Sequence, residues 1–239
     1  MPGTARSENP QQRSFAGLDA LNSALAQDIT QALRQGLDAR RSASLAVPGG
    51  RTPVGLFELL SNAPLEWRRV RVTLTDERWV DPASADSNEQ LVRAPLLKGA
   101  AAAAGLTGLK NSARDPESGA AASWSGLAAL PRPFDFVLLG MGDDGHFASL
   151  FPHAPELAAA LDPNGAPGCV PMRAPVPPFE RLSLNLSALL DARQIGLLIA
   201  GETKRVVLER ARTDGSAADL PVRALLRQQR VPVTVFWSP

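Results

Sequence analysis

The residues Phe136-Val137-Leu138-Leu139 end at Gly140 and run straight into Met141-Gly142-Asp143-Asp144-Gly145-His146, a join that constrains the fold more than any other stretch of the chain. A continuous aliphatic and aromatic run, closed by glycine, reads as a buried strand in the middle of a parallel sheet. Ligands of open α/β sheets bind in the crevice outside the carboxyl ends of the strands, so Asp144 and His146 fall where a substrate is expected. The spacing Gly140-x-Gly142-x-x-Gly145 also satisfies the dinucleotide-binding pattern. That fingerprint lays bare backbone and a helix N-terminus against a pyrophosphate, and Asp143 with Asp144 would set two negative charges beside it. The competing reading of His146 is a histidine that bonds only its own loop.

Three other strand ends repeat the arrangement. Leu18 to Arg41 carries Leu21, Leu25, Ile29, Leu33 and Leu37 at helical spacing. The short strand Ser44–Val47 follows it and leads into Pro48-Gly49-Gly50-Arg51-Thr52-Pro53. Thr52 is a favoured N-cap and Pro53 a favoured first helical residue, so a helix is expected to begin at Pro53 and continue through Val54–Leu60. Gly49, Gly50 and the helix start offer an anion site, and Arg51 adds a planar fork of donors; a plain turn between strand and helix remains the alternative. Val70–Thr75 is a β-branched strand that delivers Asp76-Glu77-Arg78, where the default reading is a solvated charge cluster. Ile195–Ala200 is a buried strand ending at Gly201-Glu202-Thr203-Lys204. A lysine at a helix start opposes the dipole, which a bound anion would explain; an exposed lysine is the plainer account.

Elsewhere the signals are weaker. Asp86-Ser87-Asn88 reads as a turn and cap opening a helix through Leu97, and Gly99–Leu130 yields only a helix or two near Trp124 and Leu127. Ala148–Ala160 is expected to be helical with interruptions at Pro152 and Pro155, with His153 on the surface. The proline-rich Gly165–Phe179 should be extended, Arg181–Leu186 a strand with Ser187 capping a short helix, and Val233–Trp237 the last strand.

Residues 1–14 are rich in Pro, Gln, Arg and Ser and read as a flexible tail without the apolar segment of a signal peptide, leaving 15–239 as a single domain. A net charge of +1 gives no broad field for nucleic acid or membranes, so any anion must be bound locally. No run of eighteen strongly apolar residues suggests a spanning helix. The single cysteine, Cys169, has no partner for a disulfide or a cysteine metal site and reads as a small core residue, in keeping with a cytoplasmic protein. Together the four rims join groups that can hold a phosphate, at Gly49–Thr52 and Lys204, to groups that can move protons, at Asp76–Arg78 and Asp143–His146. A phosphorylated small molecule and an acid–base reaction follow.

These motifs, Gly49-Gly50-Arg51-Thr52-Pro53, Asp76-Glu77-Arg78-Trp79-Val80, Ser87-Asn88, Gly140 to Pro152 and Gly201-Glu202-Thr203-Lys204, occur in an order that resembles the 6-phosphogluconolactonase family of the glucosamine/galactosamine-6-phosphate isomerase superfamily. The resemblance implies an α/β, Rossmann-like fold of the sugar-phosphate isomerase type, with a mostly parallel central sheet flanked by helices. It also implies hydrolysis of 6-phospho-D-glucono-1,5-lactone to 6-phosphogluconate in the oxidative pentose phosphate pathway, without metal or organic cofactor. Arg51 and Phe147 depart from the serine and threonine that many members carry there. On this reading His146 is the general base, Arg78 stabilises negative charge or holds substrate, and Asp76 or Asp144 orients one of them. Gly49, Gly50, Arg51, Thr52 and Lys204 would bind phosphate. The chain also resembles glucosamine-6-phosphate deaminase, but that enzyme carries a glutamate where Phe151 stands. A non-catalytic sugar-phosphate sensor is the third reading, weakened by the lack of room for a helix-turn-helix beside a complete domain. Oligomeric state is not legible.

Overall fold

The computed structural model describes residues 10–239. In chain order the elements are β1 (Gln11–Ser14), α1 (Leu18–Arg40), β2 (Ala43–Val47), α2 (Val54–Leu60), β3 (Val70–Leu74), β4 (Asp76–Arg78), α3 (Asn88–Leu96), β5 (Gly105–Thr107), α4 (Pro116–Gly126), β6 (Phe136–Gly140), α5 (Leu157–Ala160), β7 (Cys169–Arg173), β8 (Glu180–Leu184), α6 (Leu186–Leu189), β9 (Ile195–Ala200), α7 (Glu202–Arg212), α8 (Val222–Arg227) and β10 (Val233–Ser238). Seven of the strands form one sheet in the order β1-β10-β9-β6-β2-β3-β5, and every pairing in it is parallel. This is the expected α/β architecture.

Every residue of β2 is buried, as are Phe136 to Leu139 of β6, so both faces of the sheet's centre are covered. That is why these segments read as unbroken apolar runs rather than alternating ones. Helix α1 supplies part of the cover: Leu21, Leu25, Ile29 and Leu33 are fully buried, each stabilising the fold by roughly 1.5–3 kcal/mol relative to exposure. Arg41 ends it in the left-handed conformation, donating its N–H to Leu37 O.

The strand order fixes the site. From β2 the chain moves outward to β3 and β5, then returns to β6 beside β2 and moves the other way through β9 to β10. The loops leaving β2 and β6 therefore diverge and open a crevice between their carboxyl ends, the switch point at which α/β sheets bind ligands. Three further strands, β4, β8 and β7, form a small antiparallel sheet beside it.

Several expectations are corrected. Gln11–Ser14 is not tail but an edge strand, in register with Thr234–Trp237 of β10, while residues 1–9 lie outside the described residues. Its polar residues suit an edge whose side chains all face solvent, so no hydrophobic alternation marks it. Asp76–Arg78, expected as the charged end of the Val70–Thr75 strand, forms a short strand of its own paired with β8. Of Ala148–Ala160 only Leu157–Ala160 is helical. The cap of α6 is Asn185, whose side chain accepts from Ala188 N, and not Ser187. Ser87 does cap α3, and Asp115 followed by Pro116 starts α4. No helix among the described residues is long and apolar enough to cross a membrane.

Candidate active site

A cleft of about 530 Å³ opens at the switch point and is lined by all nine residues that the sequence nominates: Gly49, Gly50, Arg51, Thr52, Asp76, Arg78, Asp144, His146 and Lys204. Beyond β6 the chain turns at Gly142, whose carbonyl accepts from Gly145 N at 3.0 Å, and its own N–H returns to His146 O at 2.9 Å. Gly145, at φ +77°, lets the chain reverse, and its carbonyl is held by Val222 N at 2.9 Å. The loop is thus fixed at both ends.

His146 Nδ1 lies 2.6 Å from Asp144 Oδ1, which also accepts the His146 backbone N–H at 3.1 Å. Burial opposes charge on Asp144, but the hydrogen bond and charge of His146 outweigh it and hold the carboxyl below the ordinary aspartate range. An ionised carboxylate only accepts, so Nδ1 carries a proton, and it is the neutral form of this imidazole that presents a lone pair at Nε2. Asp144, and not Asp76, is the carboxylate hydrogen-bonded to the histidine. Asp76 is occupied elsewhere: Ser149 Oγ donates to its Oδ2 at 2.6 Å and Thr75 Oγ1 to its Oδ1 at 3.2 Å. The Phe151 ring packs on the imidazole, with centroids 4.7 Å apart.

In the loop after β2, Gly49 and Gly50 serve different ends. A Cβ on Gly49 would fall 2.0 Å from Asn88 Oδ1, so the glycine makes room for Asn88, whose Nδ2 donates to Asp76 O at 2.8 Å. Gly50 takes φ +93° with open space around it. Thr52 does not cap α2: Pro53 stands at the cap position and the helix begins at Val54. The Thr52 hydroxyl is left to the cleft.

The residues missed by sequence reasoning come from β4 and β8. Glu77 is fully buried and accepts from the N–H groups of Arg78, Asn88 and Glu89 at 2.7, 2.6 and 2.8 Å, and from Ser87 Oγ at 3.1 Å, pinning the start of α3. Burial pushes its carboxyl up from the ordinary glutamate range, against those three N–H donors. Arg181 of β8 is 8% exposed and lines the cleft opposite Arg78 in the β4–β8 ladder. Its alternation with Leu182 and Leu184 puts Arg181 and Ser183 on one face of β8, which the pattern alone would assign to solvent; in the fold both faces are buried. Cys169 does not line the cleft; it is partly buried against the edge of the core rather than within it, and desolvation raises its thiol to about 12, which makes it unreactive.

Charge distinguishes this cleft. Arg51, Arg78, Arg181 and Lys204 all line it, and among the described residues none has a carboxylate within 4.0 Å. Arginines outside it are commonly paired, as Arg205 is with Glu202 and Arg93 with Glu89. In a chain of net charge +1, four unpaired cations in one concavity form a local anion site.

The family model for glucosamine-6-phosphate isomerases/6-phosphogluconolactonase matches residues 17–237. The chain belongs to this family. A 6-phosphogluconolactonase of Pseudomonas aeruginosa is 45% identical over 215 residues, covering 90% of this chain and 89% of that protein. One from Rhizobium meliloti is 42% identical over 225 residues, covering 94% and 97%. The crystal structure of a 6-phosphogluconolactonase from Shewanella baltica superposes with a TM-score of 0.93 at 42% identity, over 98% of this chain and 100% of that one. In this chain the fold puts the glycine-containing loops after β2 and β6 and the Asp144–His146 pair around one cleft.

Proposed function

We propose that this chain is a 6-phosphogluconolactonase that hydrolyses 6-phospho-D-glucono-1,5-lactone to 6-phosphogluconate within one domain that includes β1, a step of the oxidative pentose phosphate pathway. The observation that carries the reading is an oriented Asp144–His146 pair in a cleft with four unpaired cations, in a chain 45% identical to a protein of that name. His146 Nε2 takes a proton from water as the water oxygen attacks the lactone carbonyl carbon. Asp144 steadies the imidazolium, and Arg78 offsets the negative charge that develops on the carbonyl oxygen. The bond to the ring oxygen then breaks, His146 returns the proton to that oxygen, and the new carboxylic acid loses its proton to solvent. The test is to generate the lactone in situ with glucose-6-phosphate dehydrogenase and follow its loss with and without the protein, subtracting spontaneous hydrolysis. A rate equal to the spontaneous one refutes the reading, and binding of 6-phosphogluconate without turnover would favour a sensor.

A deaminase needs a second proton-transferring group beside the histidine. Phe151, whose ring packs on His146, cannot exchange a proton. The site thus favours hydrolysis over sugar-ring isomerisation.

Phosphate is assigned to Gly49, Gly50, Arg51, Thr52 and Lys204, remote from the reacting carbonyl. A charge-assisted contact contributes on the order of 1.5–3 kcal/mol, so Arg51→Ala and Lys204→Ala should each raise KM at least several-fold with smaller changes in kcat. Unphosphorylated gluconolactone, a poor substrate throughout, should lose little further. An unchanged KM for the phosphorylated lactone in both variants would misplace the phosphate.

Activity should also survive EDTA. No group of three or more His, Cys, Asp or Glu among the described residues is placed to hold a metal, and Asp144 is committed to His146. Loss of turnover on chelation, restored by a divalent ion, would contradict this.

A further inference from the structure

We infer that Arg181, together with Arg78, forms a second anion pole in the cleft that binds the carboxylate of the ring-opened product; the inference rests on the lactonase reading. The antiparallel register sets Arg78 directly opposite Arg181, so the two side chains share one face of the β4–β8 ladder. Like charges placed so are mutually destabilising, and here one of them is 8% exposed. Burial and then the charge of Arg78 pull the Arg181 guanidinium below its ordinary range, outweighing the opposite pull of Asp76, Glu77 and Asp86.

None of these acids forms an ion pair with Arg181. Asp76 is engaged by two hydroxyls and Glu77 by the start of α3, while Asp86 gives Arg78 only its carbonyl, at 2.8 Å from Nη1. Arg181 donates Nε to Pro178 O at 2.9 Å, and its two terminal nitrogens have no hydrogen-bond partner among the described residues. That leaves a fork of donors open to the cleft, the geometry that matches a carboxylate.

The pole lies at the reacting end. Phe151 is shared: its ring is 4.7 Å from the imidazole centroid and 5.9 Å from the Arg181 guanidinium carbon. Ser149 joins the His146 loop to both strands, donating Oγ to Asp76 and its N–H to Ser183 Oγ at 3.2 Å. His146 and Arg181 thus line the same cleft on either side of one ring, and the carboxylate formed beside His146 is placed toward Arg181. Lys204 and Arg51 would then hold the phosphate, and Arg78 and Arg181 the carboxylate, of one product molecule in the same cleft.

Calorimetric titration with two ligands tests this: 6-phosphogluconate, and glucitol 6-phosphate, which has a hydroxymethyl group in place of the carboxylate. The parent should bind 6-phosphogluconate at least about ten-fold more tightly. Arg181→Met should bring that ratio near one while leaving glucitol 6-phosphate affinity within about two-fold, which also shows that the variant is folded. Arg181→Lys, with charge but no fork, should give an intermediate ratio. Lactone turnover with equal affinities for the two ligands in the parent overturns the carboxylate pole and leaves the lactonase reading standing. An unchanged ratio in Arg181→Met also overturns it. A parent that neither turns over lactone nor binds either ligand overturns both.

Discussion

His146→Ala should lower kcat by about 10²–10⁴ while leaving the melting temperature and 6-phosphogluconate affinity close to those of the parent. The structure explains why the two effects separate. The imidazole has a single hydrogen-bonded side-chain partner, Asp144, and sits 30% exposed at the cleft wall. The turn that carries it is closed by main-chain bonds, Gly142 N to His146 O and Val222 N to Gly145 O, which alanine retains. Removing the ring therefore removes a proton acceptor and little else. Activity of the parent should fall as acid protonates the imidazole, because an imidazolium has no lone pair for the water's proton; the residual rate of the alanine variant should lack that limb. If instead His146 only bonded its loop, the variant would melt earlier and bind product poorly without a selective loss of turnover. A stable, product-binding variant with kcat within a few-fold of the parent would remove the base from the mechanism.

The candidate site was legible because the chemistry lies at the ends of strands whose character the sequence states plainly. β2, β6 and β9 are buried on both faces, so their apolar runs and the polar loops that close them stand out, and a parallel sheet brings those loops to one rim. What was not legible came from pairing between distant short segments. β4 has three residues, all charged, and only its ladder with β8, about a hundred residues later, makes it a strand and sets Arg78 against Arg181. The role of Asp144 was equally hidden, since Asp76 is also at a strand end and only the fold shows it tied to Ser149. Thr52 illustrates the reverse error: a good local capping signal was overridden because Pro53 takes the cap position and α2 starts one residue later.

The glycines of the central loop lead to the second large effect, from a substitution that removes no chemical group. Gly142→Ala should reduce kcat by about 10²-fold or more, approaching His146→Ala, with the fold largely retained. A Cβ at this position would fall 2.2 Å from His146 Nδ1 and 2.6 Å from Asp144 Oδ1, in the space where the two side chains meet. Carbon cannot occupy that space, so the imidazole and carboxylate must part, losing the bond that sets the tautomer and aims Nε2. Both obstructing groups are side chains of a partly exposed pair that can swing toward the cleft, and the φ of Gly142 is not in the left-handed region, so the backbone need not break. The same geometry accounts for the second and third glycines of the Gly-x-Gly-x-x-Gly spacing without a dinucleotide. Gly142 admits the Asp–His pair, and Gly145 takes a positive φ against Leu220, where a Cβ would lie 2.7 Å from Cδ2. Gly126→Ala, at the end of α4 with open space around it and φ −60°, is the matched control and should change neither kcat nor melting temperature appreciably. Turnover by Gly142→Ala within a few-fold of the parent would mean that the Asp144–His146 contact is not what activates the water.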